Sequence, residues 1–311
     1  DRNHDALNSP KLEIVADDIN SFLRTTQQKF QVISADEKTA DEYASNGFSY
    51  SRDYYELLQQ HLAPEGLVAQ WVPTTLPPRQ FRMILKTFTL SFPHTQLWYF
   101  LPARERGPFN AILIGSNQPV VIDPGHMDQQ FSQNPDAFKS LAPFGLTSAE
   151  AVFPHYVANE NIISEMVQNA AINSFARPRY EYYFPWDYAR ARETRFVENH
   201  ELIHAMWQQA LPEKIAHLES VLEDPDGLQQ TFEAEDQYLG GFEQFLKGMP
   251  VAEQYRMFDE VLDIAPWNDS LRARIYAQYD HIASSQRDPL ERQRLRLKAE
   301  SLYSAMNQQR H

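Results

Sequence analysis

The apolar residues of this chain change their spacing once, and that change decides its architecture. Up to about residue 115, short apolar runs alternate with stretches of helical periodicity. Lys11–Ala16 (KLEIVA), Gln31–Ala35 (QVISA), Leu67–Val72 (LVAQWV), Thr95–Leu101 and Ala111–Gly115 read as strands, the last two as a hairpin pair. Ile19–Thr26, Ser51–Leu62 and Pro77–Phe92 read as helices, with Ser51 as an N-cap and Ala63–Gly66 (APEG) as a turn. Strands alternating with helices predict an α/β domain with a mostly parallel sheet.

From about residue 126 the strand signal nearly vanishes, and RYEYYF at Arg179–Phe184 is the remaining β-like run. Tyr188–Ala210, Pro212–Leu222, Leu228–Lys247, Val251–Leu262, Ser270–Ser284 and Pro289–Asn307 all read as helices separated by Pro or Gly. The predicted division is an α/β domain over 1–125, a helical extension with a short β element over 126–185, and an all-helical tail over 186–311. Phe258–Tyr279 resembles the junction between two tetratricopeptide units.

Several function classes drop out. The chain has no cysteine, which removes disulfides, thiol catalysis and thiolate zinc sites. No apolar run approaches the ~18 residues of a membrane helix, and DRNHDALNSP lacks the apolar core of a signal peptide. The net charge is −14 and no basic run precedes the last thirty residues, which argues against nucleic acid and suits a cationic substrate.

In open α/β sheets ligands sit beyond the carboxyl ends of the strands. Asp17 and Asp18 follow the first predicted strand, Asp36 follows the second, and Gln70 lies near the end of the third. A carboxylate placed there can accept a proton from an amine and orient its nitrogen.

Four blocks resemble the spermidine synthase (polyamine aminopropyltransferase) family, in the branch often fused to membrane segments. They are IVADDINSFL (14–23), FQVISAD (30–36), GFSYSRDYYELLQQHLAPEGLVAQWVP (47–73) and PPRQFRMILKTFTLSFPHTQLWY (77–99), with a degraded further element in INSFARPRYEYYFP (172–185). The resemblance implies a partial Rossmann-like, methyltransferase-like fold. It implies a transferase that moves an aminopropyl group from decarboxylated S-adenosylmethionine, as co-substrate, to a polyamine. Asp36 would be the catalytic residue, Asp17 and Asp18 would hold the adenosine, and Gln70 and Tyr50 would line the amine side. Trp71, Trp98 and Tyr99 read as core. A cytoplasmic location, free or tethered at the inner membrane by an upstream segment, is also expected, as is a homodimer.

The chain departs from the family pattern. The Gly-rich cofactor loop of the family lies upstream of the matching blocks, so an upstream half would have to supply it. Ile19 replaces the glycine after Asp18. Glu37, Lys38, Thr39 and Ala40 replace the Ser/Thr–Asp–Pro that follows the catalytic aspartate, with Asp41 two residues late. These losses leave an alternative open: a catalytically inactive scaffold whose helical tail binds a protein partner. No metal is expected from the family. Even so, His200-Glu201-x-x-His204 matches a zinc hydrolase motif, in which two imidazoles one helical turn apart bind Zn²⁺ beside a glutamate general base. Glu219 or Glu223 would be its third ligand.

Overall fold

The computed structural model describes residues 6–36, 46–101, 110–187, 192–221 and 226–308. Five strands form one sheet: β1 (Phe30–Ala35), β2 (Leu62–Pro73), β3 (His94–Phe100), β4 (Asn110–Ser116) and β5 (Tyr156–Asn159), in the order β1-β2-β4-β3-β5. β1 and β2 pair in parallel, while β4 runs antiparallel to both of its neighbours and β5 antiparallel to β3. Thus β1, β2 and β3 point one way, as a crossover sheet requires, and β4 and β5 point the other. The sheet is mixed: the connections through α2 (Arg52–Gln60) and α3 (Pro78–Ser91) join strands that run the same way, whereas the neighbours β3 and β4 are antiparallel. β3 returns directly into β4 as the expected antiparallel pair.

One face of the sheet carries Val68, Gln70, Val72, Leu97, Tyr99, Ala111 and Leu113, all buried. This face packs on α3. Gly115 shows how closely, since a Cβ there would lie 2.5 Å from the Phe92 ring. The opposite face, with Trp71, Ile112 and Trp98 in register, is only half-buried, and Val32 on β1 is 64% exposed. β1 ends the sheet, so its outer edge has no strand partner among the described residues.

Four local expectations change. Lys11–Ala16 forms no strand; its six residues are all exposed ahead of α1 (Ile19–Thr25). Residues 63–66 are absorbed into β2 rather than forming a turn. The register slips between Phe30↔Leu62 and Val32↔Leu67, so the extra residues bulge out, and Gly66 lets the backbone pass close to the Phe30 carbonyl. Arg179–Phe184 is helical, as part of α8 (Arg179–Asp187), and the short β element of that region is β5. The break expected at Leu211 does not occur, because α9 (Arg192–Val221) continues through Pro212.

The remaining elements are α4 (Pro124–Gln133), α5 (Pro135–Phe138), α6 (Ala149–Val152), α7 (Glu160–Met166), α10 (Asp226–Leu246), α11 (Val251–Ile264), α12 (Asp269–Ser285) and α13 (Pro289–Gln308). The chain is an α/β unit followed by an all-α tail, as the change in spacing predicts. α10 packs on α11, α12 on α13, and α9 lies between β5 and α10. Asn199 explains how α9 is held: its Nδ2 donates to the carbonyls of Thr74 (2.7 Å) and Leu76 (2.8 Å) in the loop after β2. No described helix is long and apolar enough to cross a membrane.

Candidate active site

The carboxyl end of β1 is the natural starting point. Asp36 follows Ala35 directly and is exposed. On the neighbouring strand Gln70 is in register with Ala35, and its Nε2 donates to the Ala35 carbonyl at 3.2 Å and to the Trp71 carbonyl at 3.0 Å. Gln70 is fully buried, yet its Oε1 has no hydrogen-bond partner among the described residues. A buried amide oxygen left without a donor costs about 1–3 kcal/mol. The sheet therefore presents an unused acceptor one residue from Asp36. Asp36 and Gln70 are the two predicted site residues that the fold brings together.

Asp17 and Asp18 lie on the exposed segment before α1. Asp18 is the N-cap of that helix, with Oδ1 accepting from the amides of Asn20 and Ser21, both at 3.1 Å. Asp17 Oδ1 accepts from the Asp18 amide at 2.8 Å. Capping uses one carboxylate oxygen of Asp18 and leaves the second able to accept a further hydrogen bond. Among the described residues no hydrogen bond links this pair to Asp36 or Gln70. Tyr50 sits apart from them, buried with its ring 5.4 Å from that of Tyr180 on α8. Glu37–Ala40 and Asp41, where the family pattern is broken, lie outside the described residues.

Asn173 was not singled out from the sequence. Its Nδ2 donates to the carbonyls of Gly47 (2.7 Å) and Tyr50 (3.3 Å), its Oδ1 accepts from the Tyr180 amide (3.1 Å), and its own amide donates to Thr87 Oγ1 (3.1 Å). It fixes the turn that leads into α2, and hence the position of β2. Only its place in the degraded 172–185 element hinted at this.

The zinc reading is overturned. His200 is fully buried, its Nε2 donates to the Leu239 carbonyl at 3.1 Å, and its Nδ1 lone pair faces the Tyr99 hydroxyl at 3.3 Å. Burial lowers its pKa to about 4. His204 has carboxylates at both nitrogens, Asp236 at 2.9 Å and Glu243 at 3.4 Å, an arrangement that favours the protonated ring over a ring with a lone pair for a cation. Burial opposes that charge, but the two acids overcome it and raise the pKa. Glu201 is paired with Lys247 at 2.7 Å. No group of three or more His, Asp or Glu side chains among the described residues could hold a metal ion. Of the expected third ligands, Glu219 is outside any such group and Glu223 is outside the described residues.

Two cavities open on the half-buried face of the sheet. One, of about 450 Å³, lies between Trp71, Phe100 and Ile112 and the N-terminal turns of α12. The other, of about 320 Å³, lies between β5 and α9. Neither is lined by Asp17, Asp18, Asp36, Tyr50 or Gln70.

Compared with known families, residues 2–102 match the model described as Spermine/spermidine synthase domain. The match covers about the first third of the chain. In the spermine/spermidine synthase domain the match runs from the segment bearing Asp17 and Asp18, through β1 with Asp36 and β2 with Gln70, to the end of β3. The fourth and fifth strands and the helical tail lie beyond it. No curated protein matches the chain.

Proposed function

We propose that this domain transfers an aminopropyl group from decarboxylated S-adenosylmethionine to a polyamine at the carboxyl end of β1, once a cofactor-binding segment pairs along the open edge of that strand. The amine nitrogen attacks the carbon bonded to the sulfonium. A C–N bond forms, the C–S bond breaks, and methylthioadenosine leaves. The nitrogen must give up a proton, and Asp36 is the exposed carboxylate to receive it. The observation that carries this reading is the buried Oε1 of Gln70, an acceptor without a donor beside Asp36, where an amine N–H could supply one. Asp18, assisted by Asp17, would hold the adenine amino group.

A second reading has its own support. Gln70 is sealed from solvent and Tyr50 is locked against Tyr180, as in a scaffold that no longer admits an amine. In that case the helical tail would dock a protein partner. Calorimetric titration of the longest natural form of the chain with methylthioadenosine separates the two. Binding is expected, and in the active protein Asp36→Asn should lower kcat by about 10²- to 10⁴-fold with little change in that binding. A chain that carries a complete cofactor segment and still produces no heat would leave only the scaffold.

A further inference from the structure

One face of α9 forms a wall of the 320 Å³ cavity, through Ala210, Glu213, Lys214, His217 and Leu218 at spacings that place them on adjoining turns. Tyr156 and Asn159 of β5 form the facing wall. The segment 120–122 closes a third side, tied down by Gln96 Nε2 donating to the Val120 carbonyl (3.1 Å) and by His217 Nε2 donating to the Ile122 carbonyl (3.1 Å). Lys214 is the unusual member. It is 6% exposed, its Nζ donates to the Tyr156 carbonyl at 2.5 Å, and it lies 4.5 Å from the Trp207 ring centre. Among the described residues no carboxylate is paired with it; Glu213, its neighbour in sequence, instead accepts from Asn159 Nδ2 at 3.1 Å.

A buried ammonium without a counter-ion is costly, and the group sheds its proton rather than bear that cost. Burial accordingly holds the Lys214 pKa well below the ordinary lysine range, only partly opposed by Glu235. Lowering a lysine pKa enlarges the share of neutral, nucleophilic amine, and desolvation in an apolar pocket is one established way to do so.

We propose that Lys214 is a reactive amine whose cavity takes a small, mainly apolar aldehyde and binds it as an imine. The amine lone pair attacks the carbonyl carbon and the carbonyl oxygen gains a proton, giving a carbinolamine. That intermediate loses water as the nitrogen gives up its remaining proton. Glu213 and His217, exposed at the mouth on the same helix, are placed to relay those protons. A carbonyl compound suits the site better than an anion, since a neutral amine offers an anion no charge and Glu213 would repel it. This site is separate from Asp36 and does not depend on the aminopropyl reading.

The test is to incubate the full chain with butanal and sodium cyanoborohydride near neutral pH, where hydride from the reagent converts the imine to a stable secondary amine, and to map peptides by mass spectrometry. An ordinary solvated lysine amine, with a pKa of ~10.4, is almost wholly protonated there, so Lys214 should gain its butyl group at least about tenfold faster than the exposed lysines of the chain. The rate at Lys214 should also level off at lower pH than the rates at the exposed lysines. Ala210→Leu, which fills the cavity and leaves Lys214 in place, should slow labelling at Lys214 alone, with near-ultraviolet circular dichroism confirming the fold. The proposal is overturned if Lys214 is among the slowest lysines to react in the native protein, or reacts only after urea unfolds it.

Discussion

The polar residues that hold this protein together are asparagines that read as incidental in the sequence. Asn173 joins three parts of the chain, and Asn199, an odd polar neighbour of His200 in the sequence, ties α9 to the loop after β2. Replacing Asn173 with Ala removes its interior hydrogen bonds to the carbonyls of Gly47 and Tyr50 and from the amide of Tyr180. At about 1 kcal/mol for each hydrogen bond lost, urea unfolding should show a loss of about 3 kcal/mol. Gln230→Ala, at an exposed helix position, should change stability by less than about 0.5 kcal/mol. Such roles are invisible in a linear reading because every partner is distant in sequence. Ser51 was legible as a helix cap because capping is local, its side chain accepting from the amide three residues on; Asp18, read as an adenosine-holding acid, caps α1 in the same local way. The His200–His204 pair misled for the converse reason: the spacing is local, but what the ring nitrogens meet comes from α10, 32 to 39 residues away, and from Tyr99 on β3.

Among the elements, helices behind a clear cap and strands in uninterrupted apolar runs were readable, and exceptions arose where neighbours decided the outcome. Aromatic-rich RYEYYF has strand-like composition, but Asn173 captures the Tyr180 amide and Tyr50 stacks on its ring, and the run coils into α8. KLEIVA has the composition of a strand, but its six residues are all exposed and pair with no described strand, even though β1 leaves an edge open. β5 was too short to signal itself and exists because β3 offers it a free edge. α9 carries a proline in its twenty-first position, which removes one backbone bond at the point where the helix flanks the Lys214 cavity. Pro212→Ala should raise stability by about 2 kcal/mol: the ~3 kcal/mol helix-interior penalty, less the ~1 kcal/mol lost because proline also restrains the unfolded chain. Thermal unfolding checks this, and an unchanged or lower Tm would mean that the surrounding packing has adapted to the bend.

Across the whole molecule, buried histidines set the response to acid. His155 is pushed down to about 3 by burial, reinforced by the Arg274 guanidinium, and His200 to about 4 by burial. Both ionise near 6.5 when unfolded. Their native neutral forms are therefore at no disadvantage above pH 6.5, and stability falls as pH drops below it, since the unfolded chain takes up protons that the native state refuses. Each ring contributes a slope of up to about 1.4 kcal/mol per pH unit. His204 acts in the opposite sense: its raised pKa gives stability that is complete below 6.5 and fades as pH rises through the native value. Two rings against one predict a net fall in Tm from pH 6.5 to 4.5, with His155→Gln flattening the curve. A Tm that rises on acidification over that range would contradict the assignment. At this scale the change of apolar spacing announced an α/β unit ahead of a helical tail. The cavities between them were beyond a linear reading, because their walls come from β2, β4, β5, α9 and α12, segments that share no pattern in sequence.

The bare rim of β1 makes the company this chain keeps a matter of its folding as well as its chemistry. Among the described residues no strand claims the outer amides of β1 beside the exposed Val32 side chain, and such a row is a template on which an extended peptide can zip without strong discrimination by sequence. Whatever covers that seam therefore has to arrive early, ahead of sister molecules emerging from neighbouring ribosomes.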